Sequence, residues 1–166
     1  TALGFLIGLV LGVVFAFVIE TFDTSIGAVE EVEEFLGSRV LGVIPHIDFE
    51  ELKTTLRERL GKEIDHDQLW RISRLVSHFA PKTTSAESYR ALRTNIDFLK
   101  LEKDAKTIVV TSSSPQERKT TVAINMAITM AQAGKKVLLI DGDFRRPVIS
   151  KVLGIPSMPG LTDVIL

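Results

Sequence analysis

Lys119, Thr120 and Thr121 end the stretch TSSSPQERKTT, residues 111–121. A lysine followed by a hydroxyl residue, set between an apolar run and a helical pattern, suits a polyphosphate. The lysine can reach terminal phosphates, and the Thr120 hydroxyl can bind magnesium. Backbone N–H groups at the start of a helix face the same point with its positive dipole end. The usual spacing of such a loop is G-x-x-x-x-G-K-[ST]. Ser113 and Arg118 stand in its glycine places, so the pattern fails while its context, strand before and helix after, is right. Downstream, LLIDGDFRRP (138–147) puts Asp141 and Asp143 at the end of a second apolar run. The carboxyl end of a parallel strand is where α/β sheets place ligands. Two carboxylates there, beside a phosphate site, suit a magnesium ion and the activation of a nucleophile. Alone, the pair reads equally as a solvated turn; the loop one βα unit upstream favours the site.

The elements that must position these residues follow from periodicity. KTIVVTS (106–112) reads as a buried-type strand. Residues 119–133 read as a helix with Val122, Met126, Ala127 and Met130 inward and Gly134 as its stop. KVLLID (136–141) reads as a second strand. Strand, loop, helix and strand in this order predict a βαβ unit with a parallel sheet. Upstream, Thr84 and Glu87 have capping-box spacing for a helix reaching about Lys100, with Tyr89, Leu92, Ile96 and Leu99 on its apolar face. The same helix carries Glu87, Arg90 and Arg93 at i, i+3 and i+6, on one broad side. By residue type alone that side is an ordinary solvated charged face.

Residues 46–82 are rich in charge and hold two modest amphipathic patterns. Leu52, Leu56 and Leu60 are ended by Gly61; Leu69, Ile72, Leu75, Val76 and Phe79 are ended by Pro81. They read as two short helices of a linker. His46, His66 and His78 lack ligand-like spacing.

Residues 2–19, ALGFLIGLVLGVVFAFVI, contain neither charge nor proline. As a helix they span about 27 Å, close to the roughly 30 Å of a bilayer core. The reading is a transmembrane helix, with a buried soluble helix as the alternative; the basic region and cleavage site of a signal peptide are not visible. Gly4, Gly8, Gly12 and Ala16 share one face, which lets another helix approach closely in lipid. Flanking charge gives no orientation, because Glu20 and Asp23 follow and the first basic residue is Arg39. Thr24 or Ser25 can cap a second short helix, with Ile26, Val29, Val32 and Leu36 on one side, Glu30, Glu31, Glu33 and Glu34 mostly opposite, and Gly37 as its stop. RVLGVIP (39–45) reads as an extended run ended by Pro45.

The chain has 166 residues, net charge −1 and no cysteine. The balanced charge implies no strongly basic face, so nucleic acid is not an expected partner. The absence of cysteine excludes disulfides and zinc–thiolate sites.

Together, SSSPQERKTT, the helix AINMAITMAQAGKKVLLID and DGDFRRP resemble the catalytic start of the bacterial tyrosine kinases, the BY-kinase family. The apolar span, DTSIGAVEEVEEFLGSRVLGVIP and ESYRALRTNI are similar to the polysaccharide co-polymerases fused to those kinases. The resemblance covers nearly the whole chain apart from roughly residues 46–80. It implies a P-loop NTPase-like α/β fold, incomplete here, preceded by a transmembrane helix and a helical linker. In those terms residues 1–20 are the transmembrane helix and 21–45 the juxtamembrane co-polymerase motif. Residues 46–82 are the linker, and 83–166 the N-terminal part of the kinase domain. It further implies a bacterial inner-membrane protein with a cytoplasmic kinase domain that uses ATP and Mg2+ to phosphorylate the tyrosine-rich tail of a neighbouring subunit in a homo-oligomeric ring. Cycles of phosphorylation and assembly then control the length and export of capsular or exopolysaccharide through the export machinery. By position, Ser113, Ser114, Pro115, Gln116, Glu117, Arg118, Lys119, Thr120 and Thr121 form the nucleotide loop. Lys119 holds phosphate, Thr120 ligates magnesium, Asp143 assists the metal, and Asp141 acts as base or orients the attacking tyrosine. Glu87, Arg90 and Arg93 match the E-x-x-R-x-x-R element that joins subunits.

The sequence departs from the family at P-G-E-G-K, where Pro115-Gln116-Glu117-Arg118-Lys119 lacks both glycines. Glycine serves where φ is positive or backbone touches a ligand. The expectation is a strained or reshaped loop with impaired ATP binding, and a non-catalytic assembly module is the alternative function. The family's next metal-binding aspartate strand and tyrosine-rich tail do not follow PGLTDVIL, and Tyr89 is the sole tyrosine. The chain therefore reads as a fragment, inactive as a kinase by itself.

Overall fold

The computed structural model describes residues 2–22, 29–47, 49–61, 65–103 and 105–165. They divide into two units, residues 1–40 and 41–166.

In the first unit α1 (Ala2–Phe22) is apolar on every side. Phe5, Leu11, Phe15 and Phe17 are all more than half exposed. A Cβ added at Gly4, Gly8 or Gly12 would meet nothing within 4 Å, so the small-residue face is open. Among the described residues no helix is long and apolar enough to cross a membrane. Side chains of α1 are described without a break only over 4–15, about 18 Å of helix. α2 (Val29–Leu36) ends at Gly37, whose φ of +60° supplies the left-handed turn expected there. Val40 N–H then donates to Glu33 Oε1 at 2.7 Å. The cap expected at Thr24 or Ser25 and the position of Ile26 lie outside the described residues.

The second unit begins with an irregular segment, 41–47, and continues through α3 (Phe49–Leu60), α4 (His66–Ser73), α5 (Val76–Phe79) and α6 (Thr84–Lys103). After the loop come α7 (Lys119–Gln132), α8 (Ile149–Leu153) and α9 (Leu161–Ile165). The segment read as a linker forms three helices, not two, and their apolar faces are core. Leu52, Leu56, Ile72, Val76 and Ala80 pack with Tyr89 of α6 in one buried cluster. Leu52 and Leu56 are 1% and 0% exposed, and each contributes about 1.5–3 kcal/mol. The third leucine of that pattern, Leu60, has a side chain outside the described residues. The 3.6-residue stripe was visible, but what it packs against is some thirty residues away in sequence.

α6 presents Ala86, Tyr89 and Leu92 inward, with Ile96 half-buried. Its cap is one residue earlier than expected. Thr83 Oγ1 accepts from Ala86 N–H at 3.4 Å, while the Glu87 carboxylate is taken by Arg90 instead of the helix end. α7 is buried on more than the expected side. Met126 and Met130 meet Leu92, and Ile124 meets Leu75, Ile149 and Val152 on another. Asn125 and Thr129, both 0% exposed, lie between these faces. Gly134, φ +81°, ends α7, with Lys135 N–H on Met130 O at 3.1 Å.

The predicted parallel sheet is not seen: residues 105–112 and 135–141 carry no strand among the described residues. Val109 and Leu138 are 82% and 83% exposed, and Ile108, Val137 and Ile140 are also open. The apolar runs are present, but a buried parallel strand needs a ladder partner and cover on both faces. Two segments alone supply neither.

Candidate nucleotide-binding site

The loop 112–118 joins the first apolar segment to α7, and its backbone takes the shape that glycines usually provide. Gln116 has φ 69° and Arg118 φ 61°. Both lie in the left-handed region, where a side chain costs roughly 1–2 kcal/mol. These are the two positions at which the resemblance leads us to expect glycine. Arg118 is the residue before the first turn of α7 and makes no side-chain cap, so the first N–H groups of α7 have no partner within the helix.

Glu117 folds back over the loop. Its carboxylate accepts from Ser114 N–H at 3.0 Å and from Ser113 Oγ at 3.1 and 3.2 Å. The Ser114 backbone bond, followed by the Ser113 hydroxyl, holds its carboxyl below the usual glutamate range. Arg118 reaches sideways, with Nη2 2.8 Å from His46 Nδ1. Arginine only donates, so this His46 nitrogen is the acceptor.

A cavity of about 860 Å³ opens beside the loop. Ser113, Ser114, Pro115, Gln116, Arg118, Lys119, Thr120 and Thr121 line one side, and Asp143, Arg145, Arg146 and Val148 line another. Lys119 Nζ lies 3.8 Å from Asp143 Oδ2. The loop and the Asp143 turn thus border one space.

The two aspartates part company. Asp143 lines the cavity, and its Oδ1 accepts from Arg146 N–H at 3.0 Å. Asp141 does not line it. Its carboxylate accepts from the N–H groups of Asp143, Val148 and Ile149 at 3.1, 3.0 and 3.1 Å. Asp141 therefore pins the start of α8 and the turn that carries Asp143. Among the described residues no group of three His, Cys, Asp or Glu could hold a metal. That donor set still fits magnesium, which keeps waters and binds through one or two carboxylates plus the phosphates of its substrate. Thr120 and Asp143 are the residues that would hold it.

Arg74, from the α4–α5 turn, also lines the cavity, and nothing in the loop's spacing could have found it. Its only sequence signal is a basic residue within the Leu69–Phe79 stripe, four positions after Trp70. The Glu87, Arg90 and Arg93 triad lies away from the cavity. Arg90 Nε donates to Glu87 Oε2 at 3.0 Å, and its Nη2 bonds Pro81 O. Arg93 Nη1 donates to Thr129 O at 2.9 Å and so ties α6 to α7.

The chain matches no protein-family profile. It is 44% identical over 86 residues, 52% of its length, to tyrosine-protein kinase YwqD of Bacillus subtilis (strain 168), of which this covers 36%. Over 160 residues, 96% of its length, it is 28% identical to tyrosine-protein kinase wzc of Salmonella typhimurium, covering 21% of that protein. Among solved structures it is similar to the chimerical protein CapA2B2, with a TM-score of 0.60 and 31% identity over 83% of this chain and 50% of that one. The chain spans between about a fifth and two fifths of these curated relatives. With its loop, its acidic turn and these matches taken together, the chain is a homologue, over part of their length, of proteins named as bacterial tyrosine-protein kinases.

Proposed function

We propose that this chain is the nucleotide-binding part of a membrane-anchored tyrosine autokinase that regulates capsular or exopolysaccharide chain length and export, with weakened ATP binding. The cavity in which Lys119 and Asp143 meet beside the start of α7 carries the reading. Lys119 holds the terminal phosphates, and the N–H groups at the start of α7 face them. Thr120 and Asp143 are the residues that would hold Mg2+, and the ion when bound would supply positive charge against the phosphates. Asp141 holds the turn that presents Asp143; a role as base requires its backbone bonds to open. Tyr89, 2% exposed, is closed to phosphorylation in the folded chain; the acceptor tyrosines of this reading are those that the resemblance puts in a neighbouring copy's tail. Glu87, Arg90 and Arg93 contribute to a ring of copies. The apolar surface of α1 supports anchoring in the bacterial inner membrane, with the second unit in the cytoplasm, where ATP is. The polysaccharide export machinery is then the partner across the bilayer.

A second reading, a non-catalytic assembly module, is favoured by the loop itself. Gln116 and Arg118 put side chains where phosphate meets backbone, and Glu117 occupies the Ser114 N–H. Calorimetric titration with Mg2+-ATP separates the two. Micromolar binding lost in Lys119→Ala supports the kinase site. Absence of binding at millimolar ATP, in the wild type and after Gln116→Gly/Arg118→Gly, leaves the assembly module.

A further inference from the structure

The turn carrying Arg74 is fastened to the helix that follows the phosphate loop. Asn125 Nδ2 donates to Arg74 O and to Thr121 O, both at 2.8 Å, while Asn125 Oδ1 accepts from Ser77 N–H at 2.9 Å. Asn125 is wholly buried, so the three bonds have no competition from water. Its side chain thereby sets the distance between the α4–α5 turn and the first turns of α7. The Arg74 guanidinium lies 3.9 Å over the Trp70 ring, with Nη1 donating to Trp70 O at 3.1 Å. A planar side chain stacked and bonded in this way has lost most of its rotamer freedom, so little entropy remains to be lost on meeting a ligand.

The charges around the cavity are lopsided. Arg74, Arg118, Lys119, Arg145 and Arg146 line it, against a single carboxylate, Asp143. Burial lowers the Arg74 pKa, and the nearby Arg118 charge lowers it further. Like charges turned into one space are costly unless a polyanion joins them.

Resting on the kinase reading above, we infer that Arg74 is a phosphate-binding residue of the nucleotide site, supplied by the helices between the membrane segment and the loop. Its fork suits two oxygens of one phosphate. Nucleotide bound there bridges α4–α5 to α7, so occupancy tightens the segment that the sequence presents as a linker.

The test is titration of the full chain in detergent with Mg2+-ATP, Mg2+-ADP and AMP. It uses wild type, Arg74→Gln, Arg74→Lys and Lys119→Ala, each also in the Gln116→Gly/Arg118→Gly background. Arg74→Gln is expected to weaken ATP about tenfold and AMP less, with Arg74→Lys between, because a phosphate contact scales with phosphate charge. In parallel, phenylglyoxal modification of the wild type, mapped by mass spectrometry, should be blocked by ATP at Arg74; this needs no variant to fold. Unchanged ATP affinity in Arg74→Gln, or modification of Arg74 undiminished by ATP, makes Arg74 a packing residue and overturns the inference. If Lys119→Ala still loses ATP in that case, the kinase reading stands. If wild type and glycine-restored chains both ignore ATP, reading and inference fall together.

Discussion

Replacing Gln116 by glycine tests the loop most directly. Gln116 sits at φ 69°, is exposed, and has no side-chain bond among those described. The left-handed backbone costs a non-glycine residue roughly 1–2 kcal/mol. Glycine removes that cost but loses about 0.5–1 kcal/mol through its greater freedom in the unfolded chain. The net expectation for Gln116→Gly is about 0.5–1 kcal/mol of added stability. Gln116→Ala keeps the Cβ and therefore the strain, so it should give no gain. Arg118→Gly, at φ 61°, also loses the Arg118–His46 contact, an exposed bond of about 0.5–1 kcal/mol, and should come out near neutral. Strain present with and without nucleotide cancels in binding, so relief of φ by itself raises stability and not affinity. Any gain in ATP affinity must come from removing side-chain bulk. Urea denaturation followed through Trp70, the sole tryptophan, gives the free energies by linear extrapolation. Equal stability of the glycine and alanine variants at 116 would refute the argument, because a residue not held left-handed gains nothing from glycine.

Other outcomes follow from the packing. The buried Tyr89 phenol is pushed up to about 12, by burial first, with the Arg118 charge opposing. A folded-state value raised above the unfolded 10 leaves stability intact below pH 10 and removes it as pH rises from 10 to 12, about 2–3 kcal/mol in all. As the only tyrosine, its ultraviolet titration is unambiguous, and a midpoint near 10 in the folded chain would contradict the burial. Asn125→Leu leaves Ser77 N–H and the Arg74 and Thr121 carbonyls without their buried partner and should cost about 2–4 kcal/mol in the same urea assay. Arg93→Ala removes the bond to Thr129 O and should cost about 1.5 kcal/mol. Glu87→Ala breaks only a pair with a 66% exposed carboxylate and should leave the urea midpoint unchanged. If the triad joins subunits, sedimentation will show both variants dissociating although only one is destabilised; an unchanged assembly state removes that role.

Local pattern was enough to find what lies close in sequence. The lysine and threonines after an apolar run located the loop. The alternation of Tyr89 and Leu92 with charged residues found the buried face of α6, and Gly37 and Gly134 marked helix ends because each needs only its own backbone angle. Missing glycines at 116 and 118 already pointed to strain, since positive φ is a property of one residue. Contacts between distant residues were not legible. Asn125 and Thr129 look like solvent-facing polar residues of α7, and only the arrival of α5 and α6 on different sides buries them. Arg74 and Lys119 share a cavity although 45 positions separate them, a placement decided by how α4 and α5 dock. Asp141 and Asp143 are identical in type and two residues apart. Chemistry alone could not divide their tasks, and the turn into α8 claims one carboxylate for backbone and leaves the other to the cavity. The apolar runs at 106–112 and 136–141 have strand composition, but a strand is a relation between chains of hydrogen bonds, so composition cannot supply the partner that the ladder requires.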